Sequence, residues 1–346
     1  MSIVFGLIFG WVCAFILIFT AVIVIYIFLK SENEINNEDE ISSKENKIVI
    51  QHMNSTVEKF YSIEDERLGM KHFRYVMDDY FAADESIKCC GKVTSTSADG
   101  IYALWVTTEN SDPNKRILYL HGGGYVIGSI RGYLPLASHL AKATGASVLL
   151  IDYRLSPENI FPAALEDAKI AYKWMLKNGP NGEKNFEKIF ISGDSAGGGL
   201  SIATGLAIKD ENEVLPNAIM PISPWVEMNP LSKSYDDNKD LDPFVSKDGI
   251  EWFASVYSPD ESERKNPYAS PLYGDFSDFP PMLIQVGTRE VLLDDSKKIA
   301  KKAKSDGCDV ELEIWNDMIH IFQGFAPFLP EANRALKKIG LFISDK

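Results

Sequence analysis

Lysine and arginine never stand more than two in a row in this chain. Its 35 basic residues are outnumbered by 49 acidic ones, for a formal net charge of −14, whereas a phosphate-binding surface needs basic side chains gathered on one face. Nucleic acid is therefore not an expected partner. Cysteine is scarce as well: Cys13, Cys89, Cys90 and Cys308 fall at no metal-ligand spacing, and Cys13 lies inside an apolar run. Neither a zinc site nor a disulfide scaffold is expected, and no metal or cofactor is called for. Histidine is limited to five residues, few enough to assign a base by elimination. What the chain has in quantity is apolar side chains, 45% of 346 residues, ample for a core of one large domain or two small ones.

The first apolar stretch stands apart from that core. Ile3 to Leu29 contains no charge, and as a helix it would extend about 40 Å at ~1.5 Å per residue, enough to cross roughly 30 Å of hydrocarbon. Residues 1–30 are read as a single-pass membrane anchor contacting lipid. A cleaved signal peptide would want a basic start, a shorter apolar run and a small-residue cleavage site, none of which is clear. Sidedness stays open, with the endoplasmic reticulum among the candidate membranes. Lys30, Lys44 and Lys47 follow the span and no basic residue precedes it, which favours a cytosolic C-terminal part, while the sequon at Asn54 suits the opposite side.

Residues 31–47 hold six acidic and two basic residues and read as a solvated linker. Residues 48–90 are amphipathic in their larger part, with helices expected from Ile48 to about Ala83. After Gly91 short apolar runs at 102–106, 116–120, 147–153, 188–192, 218–223, 281–287 and 310–315 alternate with helical spacing at 135–144, 162–177, 196–209 and 294–306. That alternation predicts a mostly parallel sheet covered on both faces over 91–346. Residues 225–275 interrupt it with Trp225, Phe244, Trp252, Phe253 and Tyr257. They form either a lid above the carboxyl ends of the strands or an elaborated crossover whose aromatics pack a small core of their own.

Two glycine-rich stretches carry chemistry. "GDSAG" at 193–197 follows a predicted strand and opens a predicted helix, the setting in which glycines on either side of a serine permit a sharp turn that thrusts its hydroxyl outward. "HGGG" at 121–124 follows another strand, and glycines there leave backbone N–H groups unobstructed, as stabilising an oxyanion requires. Ser195 then needs a base. His52 and His72 lie in the N-terminal helical segment, His121 in the glycine stretch and His139 within a helix, so His320, after the last predicted strand, is the candidate. The orienting carboxylate is sought in "TREVLLDD", where Glu290, Asp294 and Asp295 all fit the chain order nucleophile, acid, histidine. Glu290 comes soonest after the strand and is favoured. Asp294, placed as a helix cap, is its rival.

Together with "DYRLSPE" (152–158), "FPAALEDA" (161–168), "GTREVLLDD" (287–295) and "NDMIHIF" (316–322), these motifs resemble the hormone-sensitive-lipase-like group of α/β hydrolases, and the anchor resembles its membrane-bound, arylacetamide-deacetylase-like branch. The resemblance extends from about Ile48 to the C-terminus. It implies the α/β-hydrolase fold with a helical cap, Ser195 as nucleophile, His320 as base, and an oxyanion hole made by the N–H groups of Gly122, Gly123 and Ala196. At the acid position, usually aspartate, this chain has Glu290. The implied activity is hydrolysis of a hydrophobic small-molecule carboxylic ester of short to medium chain length, through an acyl-enzyme on Ser195. A ligand receptor with a disabled site, or an amide or lactone hydrolase, are the alternatives. The natural substrate and oligomeric state are not legible.

Overall fold

The computed structural model describes residues 42–61, 74 and 88–346. The expected membrane span and most of the 31–47 linker lie outside the described residues, as does most of 62–87 with His72. No helix of the described residues is long and apolar enough to cross a membrane. The described elements belong to a single unit, Ser43–Lys346.

Helix α1 spans Lys44–Tyr61. Its first four residues fall within the expected linker, because Ser43 Oγ accepts the Asn46 N–H at 3.3 Å as an N-cap. Ser43 itself is tied through its N–H and hydroxyl to Glu331 at 2.8 Å each. Residues 44–47 are therefore helix, a correction to the reading of 31–47 as tether throughout, and Val49 and Met53 one turn on are buried.

Strands β1 (Lys92–Ala98) and β2 (Ile101–Thr107) form an antiparallel hairpin, whose turn residues Asp99 and Gly100 both have positive φ, the backbone twist a two-residue hairpin favours. β3 (Asp112–Leu120), α2 (Leu134–Thr144), β4 (Ala146–Ile151) and α3 (Ala163–Met175) follow. A small hairpin, β5 (Asn178–Gly179) and β6 (Gly182–Glu183), leads to β7 (Lys188–Asp194), α4 (Ser195–Asp210) and β8 (Ala218–Ile222). Short α5 (Ser234–Asp237) and α6 (Lys247–Tyr257) lie in the interruption. The chain ends with β9 (Met282–Gly287), α7 (Leu293–Ser305), β10 (Val310–Trp315) and α8 (Pro330–Ser344).

Eight of these strands form one sheet in the order β1-β2-β4-β3-β7-β8-β9-β10, parallel from β4 to β10. Leu118 and Leu120 of β3 enter one apolar cluster with α3, α4 and α7, while Ile117 and Tyr119 enter the other with α1, α2 and α8. This is the period-two alternation of a strand buried on both faces. The order also fixes where a ligand can bind. From β3 the chain crosses to β4 on one side and then returns to β7 on the other, so the loops after β3 and β7 diverge and leave a crevice at the carboxyl edge. Both glycine-rich motifs leave the sheet at that crevice.

Candidate active site

Ser195 sits between β7 and α4 with φ 54°, a left-handed backbone that a residue with a Cβ adopts only under constraint. The constraint comes from both sides. A Cβ on Gly193 would stand 2.3 Å from the Gly197 carbonyl oxygen, and one on Gly197 would stand 2.0 Å from that of Leu120. Only glycine lets β7 turn into α4 against the end of β3. The Ser195 carbonyl accepts the Trp225 N–H at 2.9 Å, which ties the turn to the loop after β8. Gly198 and Gly199 face that same loop, where a Cβ on Gly199 would lie 2.1 Å from the Trp225 oxygen.

Asp194, beside the serine, carries no signal of its own in the sequence and proves to be the anchor of the glycine stretch. Fully buried, its Oδ1 accepts from Tyr119 Oη at 2.8 Å and from the Gly122 N–H at 3.1 Å, and its Oδ2 accepts from Tyr133 Oη at 3.1 Å. Burial raises its pKa to about 6, against the pull of Tyr119, His320, Tyr133 and Gly122. The consequence corrects one expectation. The Gly122 N–H is committed to a carboxylate and is not a free donor for an oxyanion. Gly123 and Gly124 both have positive φ, and among the described residues no hydrogen bond is formed by their N–H groups. The Ala196 N–H lies in the first turn of α4, where no intrahelical acceptor exists.

Glu290, on the loop after β9, and His320, on the loop after β10, meet at the same carboxyl edge. His320 Nδ1 and Glu290 Oε2 are 2.9 Å apart, with both side chains fully shielded from solvent. The second oxygen of Glu290 accepts from Ser223 Oγ at 2.8 Å and the Gly287 N–H at 2.5 Å, so every direction of the carboxylate is fixed. Burial alone would lower the pKa of His320. The Glu290 hydrogen bond and charge, with the charges of Asp242 and Asp194, override it and leave the pKa raised. His320 Nε2 is buried without a hydrogen-bond partner among the described residues, so it is not bonded to the Ser195 hydroxyl here. Asp294 does not approach this pair. It accepts the Ser234 N–H at 3.1 Å and pairs with Lys297, and Asp295 bonds to Ser232, Tyr235 and the Val226 N–H.

Residues 117–324 match the family described as the alpha/beta hydrolase fold. The chain belongs to that family. Among relatives it is 38% identical over 242 residues to an acetyl-hydrolase of Streptomyces hygroscopicus, covering 70% of this chain and 79% of that one. It is 30% identical over 264 residues to an ethyl acetate hydrolase of Pseudomonas putida, covering 73% and 81%. A solved esterase from the bacterial hormone-sensitive lipase family superposes with a TM-score of 0.80 at 36% identity, over 88% of this chain and 99% of that one. Within the α/β hydrolases the chain thus falls in the hormone-sensitive-lipase-like group.

The other histidines among the described residues are engaged elsewhere. His121 is fully buried and stacked on Tyr153 at 4.2 Å, with Nδ1 2.7 Å from the Gly122 carbonyl oxygen. Burial drives its pKa down to about 4, against that bond, so it is a neutral strut of the glycine stretch. His139 lies in α2 beside Cys90, and His52 is exposed on α1. Among the described residues no group of three or more His, Cys, Asp or Glu is gathered as a metal site.

The 225–275 interruption does not pack a core of its own. Tyr257 stacks on Tyr125 of the glycine stretch at 3.8 Å and meets Phe161 edge-on, and the Phe253 ring lies where a Cβ on Gly124 would be 2.4 Å away. Its aromatics cover the glycine stretch and the loop before α3. Trp252 remains 43% exposed beside Phe253.

Proposed function

We propose that in this carboxylic ester hydrolase Ser195 is the nucleophile, His320 the general base and Glu290 the carboxylate that orients it. The observation that carries the reading is the fully buried Glu290–His320 hydrogen bond, formed at the same carboxyl edge of the sheet as a serine held on a strained turn. His320 Nε2 takes the Ser195 proton as Oγ attacks the ester carbonyl. The tetrahedral intermediate then expels the alcohol, which receives that proton from the imidazolium. Water, deprotonated by the same nitrogen, cleaves the acyl enzyme. Glu290, bonded to Nδ1, directs Nε2 to the serine. The oxyanion is held by the N–H groups of Gly123, Gly124 and Ala196, since that of Gly122 is spent on Asp194.

The aromatic cover from Phe253 and Tyr257 and the names of the relatives support a hydrophobic ester with a short acyl group. Ser195→Ala is expected to abolish hydrolysis of p-nitrophenyl esters from acetate to octanoate, with turnover falling monotonically as the chain lengthens in the parent. Retained turnover in the variant would refute the assignment. Absence of organophosphonate labelling at Ser195 in the parent would favour a ligand receptor instead.

The charge-free Ile3–Leu29 stretch supports a single-pass membrane anchor, as in the arylacetamide-deacetylase-like branch. Deleting residues 1–30 is expected to move the enzyme from a carbonate-resistant membrane fraction to the supernatant with unchanged kcat/KM on a soluble ester. An equally soluble full chain would exclude the anchor.

A further inference from the structure

The 225–275 interruption also grips the loop that carries Glu290. Asn238 Nδ2 donates to the Thr288 and Glu290 carbonyls at 3.0 and 2.7 Å. Asp242 Oδ2 accepts the Val291 N–H at 3.0 Å, while its Oδ1 accepts those of Phe244 and Val245 at 2.9 and 3.0 Å. The Glu290 oxygen and the Val291 nitrogen belong to one peptide unit, which is thus held at both ends from the interruption. Asp242 is 7% exposed, and no cationic side chain is bonded to it among the described residues. Two residues on, Phe244 lies over the His320 ring, with centroids 6.0 Å apart and planes at 23°.

We infer that Asp242 is a positioning residue of the hydrolytic site, a second buried carboxylate that sets the backbone under Glu290 and adds negative charge beside His320. The inference rests on the Ser195–His320–Glu290 reading and concerns what those three residues need from outside themselves. A glutamate has one more rotatable bond than an aspartate, so its carboxylate is placed only if the backbone beneath it is placed as well. Ser223 and the Gly287 N–H fix the head of Glu290, and Asn238 and Asp242 fix its root.

The charge acts in the same direction. The ionisable groups that act on His320 are Glu290 from the loop after β9, Asp242 from the interruption and Asp194 from the end of β7. All three are carboxylates, so the imidazolium formed during attack is favoured from three sides. Burial leaves the Asp242 carboxyl raised above its ordinary value, opposed by the His320 charge and the Val245 and Val291 N–H groups and aided by the charge of Glu290.

The test is the pH profile of kcat/KM for a p-nitrophenyl acetate substrate, measured on the full chain. Asp242→Asn is expected to move the acid limb down by about one pH unit, the effect of removing an opposite charge near a titrating group. It is also expected to lower kcat by roughly tenfold to a hundredfold through misplacement of Glu290. Asn238→Ala, which removes a pin without removing charge, should lower kcat and leave the limb where it is. Asp242→Glu, which keeps the charge, should also leave the limb in place and decides the charge argument if the asparagine variant fails to fold. An unmoved limb in Asp242→Asn, a lowered limb in Asp242→Glu, or a parental kcat in Asn238→Ala overturns the inference. Organophosphonate labelling of the parent separates the two failures. An unlabelled Ser195 defeats the triad reading, and this inference with it; a labelled Ser195 with any of the three contrary results defeats this inference alone.

Discussion

Glu290 and Asp294 are four residues apart, and the difference between them is one of backbone position. Glu290 leaves the end of β9 at once, so its longer side chain turns back to accept the Gly287 N–H and still reaches His320 Nδ1. Asp294 has already entered α7, where its carboxylate meets the Ser234 N–H and favours the helix N-terminus. The chemistry follows from that placement. Glu290→Gln removes the charge that keeps the His320 pKa raised, so the acid limb of kcat/KM should fall to lower pH while kcat drops by roughly a hundredfold to ten-thousandfold, as expected when the orienting group of a base is lost. Asp294→Ala should leave the limb unmoved and cost about 1 kcal/mol of stability from the helix end. Paired pH profiles and thermal melts of the two variants check this, and a larger activity loss at Asp294 would reverse the assignment.

At the scale of elements, the strands expected from apolar runs are all present as β2, β3, β4, β7, β8, β9 and β10, because a sheet covered on both faces needs continuous apolar sequence. β1 is not legible in the same way. Its sequence "KVTSTSA" faces solvent along most of its length, so an exposed edge strand leaves no apolar signature. α8, by contrast, does carry helical spacing, with Ala332, Ala335, Leu336, Ile339 and Ile343 buried along one face, and Gly340 lets it press on α2, where a Cβ would meet the Ala143 oxygen at 2.3 Å. The site divides in the same way. Ser195 and His320 are legible from motif and chain order, which encode local turns. Asp194, Ser223, Asn238 and Asp242 are not, because each works through a contact made across 30 or more residues of chain, and spacing along the sequence carries no trace of it. Gly122 looks like a donor in the sequence because a glycine's N–H is visible there while its acceptor is not.

Over the whole molecule, a chain this acidic would be expected to lose stability in acid as paired carboxylates take up protons. Buried Asp194, Asp242 and Asp295, all with raised pKa, oppose that trend. Burial raises Asp295 to about 7, offset in part by the Val226 N–H, raised further by Glu227, and lowered again by Lys298 and Ser232. Asp194 is raised to about 6. An aspartate in the unfolded chain ionises near 4, so between about 4 and 7 the folded state binds the extra proton, and stability contributed at these sites declines as pH rises through that window. The raised His320 acts in the same direction, its contribution being complete below the unfolded value of about 6.5 and lost as pH passes its folded value. Asp295→Asn isolates one of these sites, since asparagine can turn its oxygen toward the Val226 N–H and its amide toward Ser232 Oγ, and it never ionises. Thermal unfolding of parent and variant at pH 4 and pH 8 should show the variant gaining on the parent as pH rises. A difference in Tm that does not change with pH would mean that Asp295 is already ionised in the folded protein, held by the Val226 N–H and its hydroxyl partners strongly enough to overcome its burial.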